Sequence, residues 1–322
     1  TGQIRKMKTQ LSDEVLYELP IGEDLVNMNE LIGQEITLSY ENKIECIKCG
    51  RETVKSFNQG FCYPCFKNAP EAADWMDGIQ QEFTAMETNN VFDIVSPVPK
   101  DVPVLSSKLV FRRKKDVNGR TVRYKVRWVA KGFTQTEGID YHETFAPTTD
   151  VTSLRLLLAL ATSKGMILQQ MDVDTAFLHA DVDTDIYVRL PRGLDFLFPK
   201  NTVCKLNKSL YGLKQAPHLW YERLHTWFTQ QGYTRLYSDL CVYCRRSEEG
   251  KMKGEAKQEH ITWVTIYVDD LVIASSTPQA METFKQEISR EFKMKDMGEP
   301  SLCLGMKIKY DQQSKTTCRT ST

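Results

Sequence analysis

The chain has 322 residues, of which 41% are hydrophobic and 26% charged, and this composition is typical of a globular protein. Lys+Arg and Asp+Glu both number 42, so the overall charge gives no information about a nucleic-acid partner. Any evidence for such a partner must come from local clusters of charge. No apolar run approaches the roughly 20 residues needed to span a bilayer, and the first residues lack the layout of a signal peptide. The nine cysteines, an odd number, do not make a disulfide scaffold. We therefore expect an intracellular protein of about two domains with no membrane partner.

Residues 1–73 form the first predicted domain and contain two Cys-x₂-Cys pairs separated by twelve residues. Thiolates in closely spaced pairs suit tetrahedral Zn²⁺, and the alternative is that the cysteines are reduced and carry no metal. The separation is slightly shorter than in common zinc modules. We predict a small zinc-ribbon-like module in which four thiolates bind Zn²⁺: Cys46, Cys49, Cys62 and Cys65.

From Asp74 onward the sequence predicts a larger body of helices and strands. The domain boundary lies near Ala69-Pro70, because Pro disfavours helix in the residue before it and suits the first turn of a new one. Apolar residues at helical spacing predict helices over 71–88, 152–164, 217–231 and from Pro278 onward. Apolar runs predict strands over 108–111, 123–130, 167–171, 261–267 and 271–274. Residues 311–322 form a polar tail.

The segment between Lys108 and Lys131 is strongly basic, with ten Lys and Arg residues against one acid, Asp116. Asn118-Gly119 divides the segment into the two strands of a predicted β-hairpin. A basic hairpin that also carries aromatic residues suits contacts with the phosphates of a nucleic acid or a triphosphate. A solvated charged surface is the alternative interpretation.

Two adjacent aspartates, Asp269 and Asp270, lie between the apolar runs 261–267 and 271–274, in a strand–tight turn–strand arrangement. Carboxylates beside buried strands are costly, and like-charge repulsion raises the cost of an adjacent pair. A divalent cation resolves both problems, since Mg²⁺ prefers a few carboxylates together with water and substrate phosphates. For an isolated pair of aspartates, a solvated turn is the alternative.

A second acidic position follows another predicted buried strand, at Asp172 in the string QMDVD (170–174). Carboxylates from two opposed strand ends can hold two metal ions about 4 Å apart, an arrangement that serves phosphoryl transfer. Asp172 and Asp269 would bridge the ions, with Asp270 as the outer ligand. Asp174 competes with Asp172 for this role and ranks second.

Five longer stretches of the chain carry distinctive motifs: 124–161 (beginning YKVRWVAKGF), 169–193 (beginning QQMDVDTAFL), 205–224 (KLNKSLYGLKQAPHLWYERL), 267–274 (YVDDLVIA) and 292–308 (FKMKDMGEPSLCLGMKI). In this order they resemble motifs of the copia (Ty1-like) branch of retrotransposon reverse transcriptases. Over residues 74–310 the resemblance implies an α+β fingers–palm polymerase core with an antiparallel palm sheet and packed helices. It also implies an RNA-directed DNA polymerase that uses two Mg²⁺ or Mn²⁺ ions, a primed RNA or DNA template and deoxynucleoside triphosphates.

The resemblance also assigns roles to individual residues. Asp172, Asp269 and Asp270 match the catalytic, metal-binding aspartates. Phe177 matches the steric gate whose ring excludes a 2′-hydroxyl, and an ordinary core Phe is the alternative. The other nucleotide contacts are predicted at Val173, Lys114, Arg127, Tyr211, Gly212 and Gln215. Lys125 is the next candidate after Lys114 and Arg127 for binding the triphosphate.

Of the loop residues, Gly212 would permit a close backbone approach to the substrate. Gln215 could donate or accept a hydrogen bond with nucleic acid, the alternative being a polar residue that faces water.

The N-terminal part resembles a different family. The string CIKCGRETVKSFNQGFCYPCF, within residues 1–73, is similar to a fragment of a bacterial Cys₄ family of unknown function. Since the copia resemblance ends near residue 310, we expect most of the thumb and the RNase H domain to be missing. Two alternatives stay open: an inactive or chimeric remnant that only binds nucleic acid, and another RNA-templated polymerase such as a viral replicase. We expect a cytoplasmic retroelement particle or the nucleus as the location, and the sequence indicates no particular oligomeric state.

Overall fold

The computed structural model describes four short segments near the N-terminus (19–21, 24–26, 43–45 and 52–54) and then residues 71–321 apart from 97, 101, 117, 192–201, 250–257, 305 and 312–315. The chain divides into two compact units. Unit 1 comprises Thr1–Thr144 and Ala180–Ala216, and unit 2 comprises Phe145–His179 and Pro217–Thr322. Each unit therefore combines segments that are distant in the sequence.

The described elements follow one another in this order. Up to the first chain segment of unit 2 they are β1 (Leu19–Ile21), β2 (Asp24–Val26), β3 (Lys43–Glu45), β4 (Glu52–Val54), α1 (Ala72–Thr88), β5 (Phe92–Val95), β6 (Val104–Leu105), β7 (Ser107–Lys115), β8 (Thr121–Ala130) and a 3₁₀ turn (Gly132–Thr134). Next come α2 (Val151–Lys164), β9 (Ile167–Val173), a second 3₁₀ turn (Ala176–His179), β10 (Tyr187–Val188), β11 (Val203–Leu206), α3 (Ala216–Gln230) and β12 (Thr234–Arg235). The last are β13 (Val242–Glu249), β14 (Gln258–Tyr267), β15 (Asp270–Ser275), α4 (Pro278–Glu291), β16 (Met294–Gly298), β17 (Leu302–Cys303), β18 (Met306–Asp311) and β19 (Thr316–Ser321).

The described N-terminal segments form two small antiparallel pairs, β1 with β2 and β3 with β4. Outside the described residues lie the four cysteines of the predicted zinc-ribbon-like module: Cys46, Cys49, Cys62 and Cys65. Both the module and its zinc site therefore stay predictions.

In unit 1 the predicted basic hairpin is confirmed as the antiparallel pair β7–β8. At its turn Gly119 adopts a φ of 79°. Asp116 Oδ1 closes the turn by accepting hydrogen bonds from the backbone N–H groups of Asn118 and Arg120, each at 2.9 Å. The turn residues thus set the register of a hairpin whose basic side chains are all exposed or half-buried.

Helix α1 packs on the hairpin through its apolar face. Trp75 meets the ring of Tyr124 edge-on with 4.7 Å between centroids, and Phe83 stacks on Trp128 at 5.6 Å. The buried Glu82 of α1 accepts a hydrogen bond from the backbone N–H of Trp128 at 3.0 Å. This packing fixes one face of the hairpin within the unit 1 core. A separate four-stranded sheet of order β5-β11-β10-β6 completes the unit.

Unit 2 is built around a six-stranded sheet of order β12-β13-β14-β15-β9-β16, in which every neighbouring pair is antiparallel. Helix α2 buries Leu154 and Leu158 against Leu168 of β9 and Val272 of β15. Removal of such side chains from water stabilises the packed layer by roughly 1.5–3 kcal/mol each. Helix α2 therefore covers one face of the neighbouring strands β9 and β15.

Polar side chains cap the first turns of two helices of unit 2. Helix α2 begins where the Asp150 side chain accepts a hydrogen bond from the N–H of Thr152, and it ends at Gly165 with a φ of 62°. Helix α4 begins with Pro278 after Thr277, whose hydroxyl caps the first turn. These helices on antiparallel sheets confirm the α+β prediction. No helix in the described part of the chain is both long and apolar enough to cross a membrane.

Candidate active site

The three predicted catalytic aspartates lie at one end of the unit 2 sheet. The register of the neighbouring strands β9 and β15 places Asp172 opposite Asp270. Asp269 precedes Asp270 in the turn between β14 and β15, and its carbonyl accepts a hydrogen bond from the backbone N–H of Val173 at 2.8 Å. The fold therefore brings together carboxylates that are far apart in the sequence.

The turn before Asp270 is a two-residue connection, Val268-Asp269, closed by the pairing of Tyr267 with Asp270. Val268 has a φ of 57°, in the left-handed region that β-branched residues rarely adopt. Such a conformation costs on the order of 1–3 kcal/mol and persists only where the surroundings fix it. One fixing contact comes from Trp220 on α3, whose Nε1–H donates to the Val268 carbonyl at 2.7 Å. The strained residue, Val268, thus directly precedes the aspartate pair.

The surroundings of Asp270 disfavour its negative charge. Burial raises the pKa of the Asp270 carboxyl, a hydrogen bond from Gln170 Nε2 at 3.2 Å opposes this rise, and the neighbouring charge of Asp269 adds to it. A bound cation would favour the charged form of Asp270 and offset the repulsion between the two aspartates. Carboxylate oxygens are also the ligands that Mg²⁺ and Mn²⁺ prefer. The donor set therefore fits a divalent cation.

Among the described residues, no three His, Cys, Asp or Glu side chains form a group that is ready to hold a metal ion. The strand register brings Asp172, Asp269 and Asp270 to the same end of the unit 2 sheet, where their like charges repel one another. Mg²⁺ keeps water and substrate phosphates among its ligands and needs no cage made of protein groups alone. The residues thus suit a cation that is shared with a substrate.

The competing carboxylate, Asp174, lies beyond the end of β9 and is engaged by Lys293. Its Oδ2 is 2.9 Å from Lys293 Nζ, and its backbone N–H donates to the Lys293 carbonyl at 2.8 Å. Asp172, by contrast, is the register partner of Asp270. This arrangement favours Asp172 over Asp174 as the partner of the aspartate pair.

Val173 and Phe177 follow Asp172, the first of the predicted catalytic aspartates, on the same segment. The Val173 side chain is 2% exposed, and its backbone N–H is the donor to Asp269. Thr175, with a φ of 58°, turns the chain into the 3₁₀ segment Ala176–His179, where Phe177 is half-buried. The roles of Val173 and Phe177 in contacting a nucleotide stay predictions.

In unit 1, Tyr211 and Gly212 lie directly against β8. The backbone N–H of Ala130 donates to the Tyr211 carbonyl at 2.8 Å, and the Arg127 guanidinium lies 4.6 Å from the centroid of the Tyr211 ring. Gly212 has a φ of 88°, and a Cβ at this position would meet the Ala130 carbonyl oxygen at 2.2 Å. Glycine is therefore required by the close approach of two protein segments. The predicted approach of a substrate to Gly212 stays a prediction.

Positive charge is concentrated on the hairpin near the predicted triphosphate contacts. Burial lowers the pKa of Lys125, and the charges of Arg127 and Lys114 lower it further. Lys114 is exposed, and the buried Nε of Arg127 has no hydrogen-bond partner among the residues that the structure describes. Positive charge gathered in this way favours the binding of an anion.

Gln215 is fully buried, and its amide is bonded inside the protein. Its Oε1 accepts from Gln135 Nε2 at 2.9 Å, and its Nε2 donates to the Asp140 carbonyl at 2.8 Å and to Asp183 Oδ1 at 3.3 Å. Gln135 in turn accepts from the backbone N–H of Lys214 at 2.8 Å. A contact between Gln215 and nucleic acid stays a prediction, and in this structure both ends of the amide are engaged by protein groups.

Three residues that the sequence analysis did not single out contribute to these arrangements: Gln135, Gln170 and Trp220. Gln170 precedes Asp172 by two positions, so the alternation of a strand places both on one face of the sheet, and this signal was available in the sequence. Trp220 lies at helical spacing, where a Trp is usually read as core. Gln135 carries no local signal, because its partner Gln215 is distant in the sequence.

Comparison with known proteins defines the class. A family model described as "Reverse transcriptase (RNA-dependent DNA polymerase)" matches residues 89–321, and the chain belongs to this family. A second model, "Protein of unknown function (DUF2797)", matches residues 33–90 and confirms the predicted N-terminal fragment.

Within the family the chain is of the copia (Ty1-like) type, as predicted. It is 40% identical over 246 residues to the "Retrovirus-related Pol polyprotein from transposon TNT 1-94" of Nicotiana tabacum, covering 76% of this chain and 18% of that protein. It is 34% identical over 235 residues to the Pol polyprotein from transposon RE1 of Arabidopsis thaliana, covering 73% and 15%. To the Ty1-ER2 Gag-Pol polyprotein of Saccharomyces cerevisiae it is 27% identical over 239 residues, covering 70% and 12%. The chain thus spans less than a fifth of the length of these relatives.

Proposed function

We propose that this chain carries out RNA-directed DNA synthesis, adding deoxynucleotides to the 3′-hydroxyl of a primer. The register that sets Asp172 opposite Asp270, with Asp269 in the adjoining strained turn, is the observation behind this proposal. Asp172 and Asp269 would hold two Mg²⁺ or Mn²⁺ ions, with Asp270 as the outer ligand. When bound, such ions neutralise phosphate charge and make the primer hydroxyl more acidic.

The chain's own groups would select and orient the substrates. The Phe177 ring would exclude the 2′-hydroxyl of a ribonucleotide. Lys114 and Arg127, with Lys125 close to both charges, would bind the triphosphate. The proposed partners are therefore a primed RNA or DNA template and deoxynucleoside triphosphates.

Primer extension on poly(A)–oligo(dT) tests the proposal. We expect Mg²⁺-dependent incorporation by the wild type and a loss of about 100-fold or more in Asp269→Asn, because a neutral amide would hold the divalent cations less tightly and these cations offset the charge of the phosphates. Asp181→Asn is a matched control, since Asp181 is exposed and its carboxylate forms a surface ion pair with Lys208 at 2.6 Å. Equal, background incorporation by the wild type and Asp269→Asn would contradict the proposal.

A second candidate function is nucleic-acid binding without synthesis. The hairpin β7–β8 favours it, because its basic side chains need no carboxylate to attract phosphates. If this hairpin binds RNA, log K should fall linearly with log salt concentration, and Lys114→Ala should reduce the slope by about 1. Salt-dependent binding by a wild type that extends no primer would select this candidate.

A further inference from the structure

Each of the three residues of the turn 268–270 accepts a hydrogen bond from α3 or from β9. Trp220 Nε1–H donates to the first carbonyl at 2.7 Å. The backbone N–H of Val173 donates to the second carbonyl at 2.8 Å, and Gln170 Nε2–H donates to the carboxylate of the third residue at 3.2 Å. Two of the three donors are therefore side chains that point at the turn from α3 and β9.

Both side-chain donors are fixed by their surroundings. Trp220 is 1% exposed and meets the Phe292 ring edge-on at 5.3 Å, with the His179 ring at 6.0 Å. An indole carries a single N–H donor, so this packing leaves one direction for its hydrogen bond. Gln170 is 6% exposed and lies in the register of β9 opposite Val272. Neither donor can swing away without disturbing the core of unit 2.

The turn needs such support because Val268 is held at a φ of 57°. A β-branched residue leaves this region when nothing holds it there. Any rotation of the Val268 backbone moves Asp269, which follows it directly. The Trp220 hydrogen bond therefore opposes a motion that would displace one of the two carboxylates.

We propose that Trp220 and Gln170 are positioning residues that hold the aspartate pair in its cation-binding geometry. Trp220 acts through the Val268 carbonyl, and Gln170 acts through the Asp270 carboxylate. This inference rests on the proposed function, since it takes the aspartates as ligands of divalent cations. Residues that orient metal ligands typically set metal affinity by about 10–100-fold.

Titration of the full chain with Mn²⁺, followed by electron paramagnetic resonance of the free ion, tests the proposal without an activity measurement. Asp172→Asn identifies the binding that belongs to the site. We expect Trp220→Phe, which keeps an aromatic ring but loses the N–H, to weaken this binding about tenfold. Gln170→Met, which keeps the chain length but loses the donor, is expected to weaken it as well.

Trp227→Phe is the matched control for lost packing. Trp227 lies on the same helix, is 3% exposed and contacts the rings of Phe228, Phe284 and Phe292. It should lower the melting temperature as Trp220→Phe does, yet bind Mn²⁺ like the wild type. Wild-type Mn²⁺ affinity in Trp220→Phe and Gln170→Met, or an equal loss in Trp227→Phe, would overturn the inference while the proposed function stands. A wild type without Asp172-dependent Mn²⁺ binding would instead refute the proposed function, and the inference with it.

Discussion

Replacement of Gly212 by Ala should destabilise unit 1 more than replacement of Gly119. The two glycines have φ values of 88° and 79°, so each substitution costs about 1–2 kcal/mol of conformational strain. A Cβ at position 119 has nothing within 4 Å, whereas at position 212 it would meet the Ala130 carbonyl oxygen at 2.2 Å and Val129 Cγ1 at 2.6 Å. The backbone shift that relieves this contact typically costs about 1–3 kcal/mol more. The expected losses are therefore about 2–5 kcal/mol for Gly212→Ala and about 1–2 kcal/mol for Gly119→Ala.

Urea unfolding followed by tryptophan fluorescence measures this difference, because Trp128 of unit 1 is fully buried. Each transition has to be fitted by itself, since two units need not unfold together. Gly119→Ala serves as the control for strain without a steric contact. Equal losses in the two variants would refute the close contact between Gly212 and β8, and so would an unchanged free energy of unfolding in Gly212→Ala.

Three further predictions concern the carboxylates, the gate and zinc. Phe177→Ala should admit ribonucleotides, and a primer extension assay with unchanged sugar selectivity would show that the gate assignment is wrong. Because the pKa of Asp270 is raised in the folded state, the charged carboxylate destabilises the fold above that pKa. Asp270→Asn should therefore raise the melting temperature near neutral pH in EDTA. This gain should disappear as the pH falls through the ordinary range of aspartate pKa values, where the wild-type carboxyl is protonated in both the folded and the unfolded state. The purified chain should contain about one Zn²⁺, and Cys46→Ser should abolish it, as metal analysis would report; wild-type protein without zinc would contradict this.

Local patterns predicted the residues of the candidate site because each lies at a recognisable place in its own segment. Asp172 follows the predicted apolar run 167–171, and Asp269 and Asp270 lie between the predicted runs 261–267 and 271–274. Strand alternation and turn chemistry are short-range properties, so one sequence is enough to read them. The expectation that the two strand ends face one another agrees with the register of β9 and β15.

Long-range pairing explains what the sequence could not predict. Gln215 lies in a polar loop segment, yet it is buried because Gln135 and the Asp140 carbonyl supply partners from another part of unit 1. In the same way, the need for glycine at position 212 arises from its contact with β8. The ion pair of Asp174 depends on Lys293, which lies just before β16. Because each of these partners is distant in the sequence, no local pattern around the residue predicts the contact.

The discontinuity of the two units has a consequence for synthesis and for dissection of the chain. Strands β5 and β6 precede residue 144, but their sheet partners β10 and β11 follow residue 180. On the ribosome, β9 with Asp172 is therefore complete before unit 1 can finish its sheet, while β15 with Asp270 is still to be made. A fragment that ended at Thr144 would leave two strands with open edges, which invite pairing with other chains. No single cut separates the units, and dissection of this polymerase core has to rely on point substitutions in the intact chain.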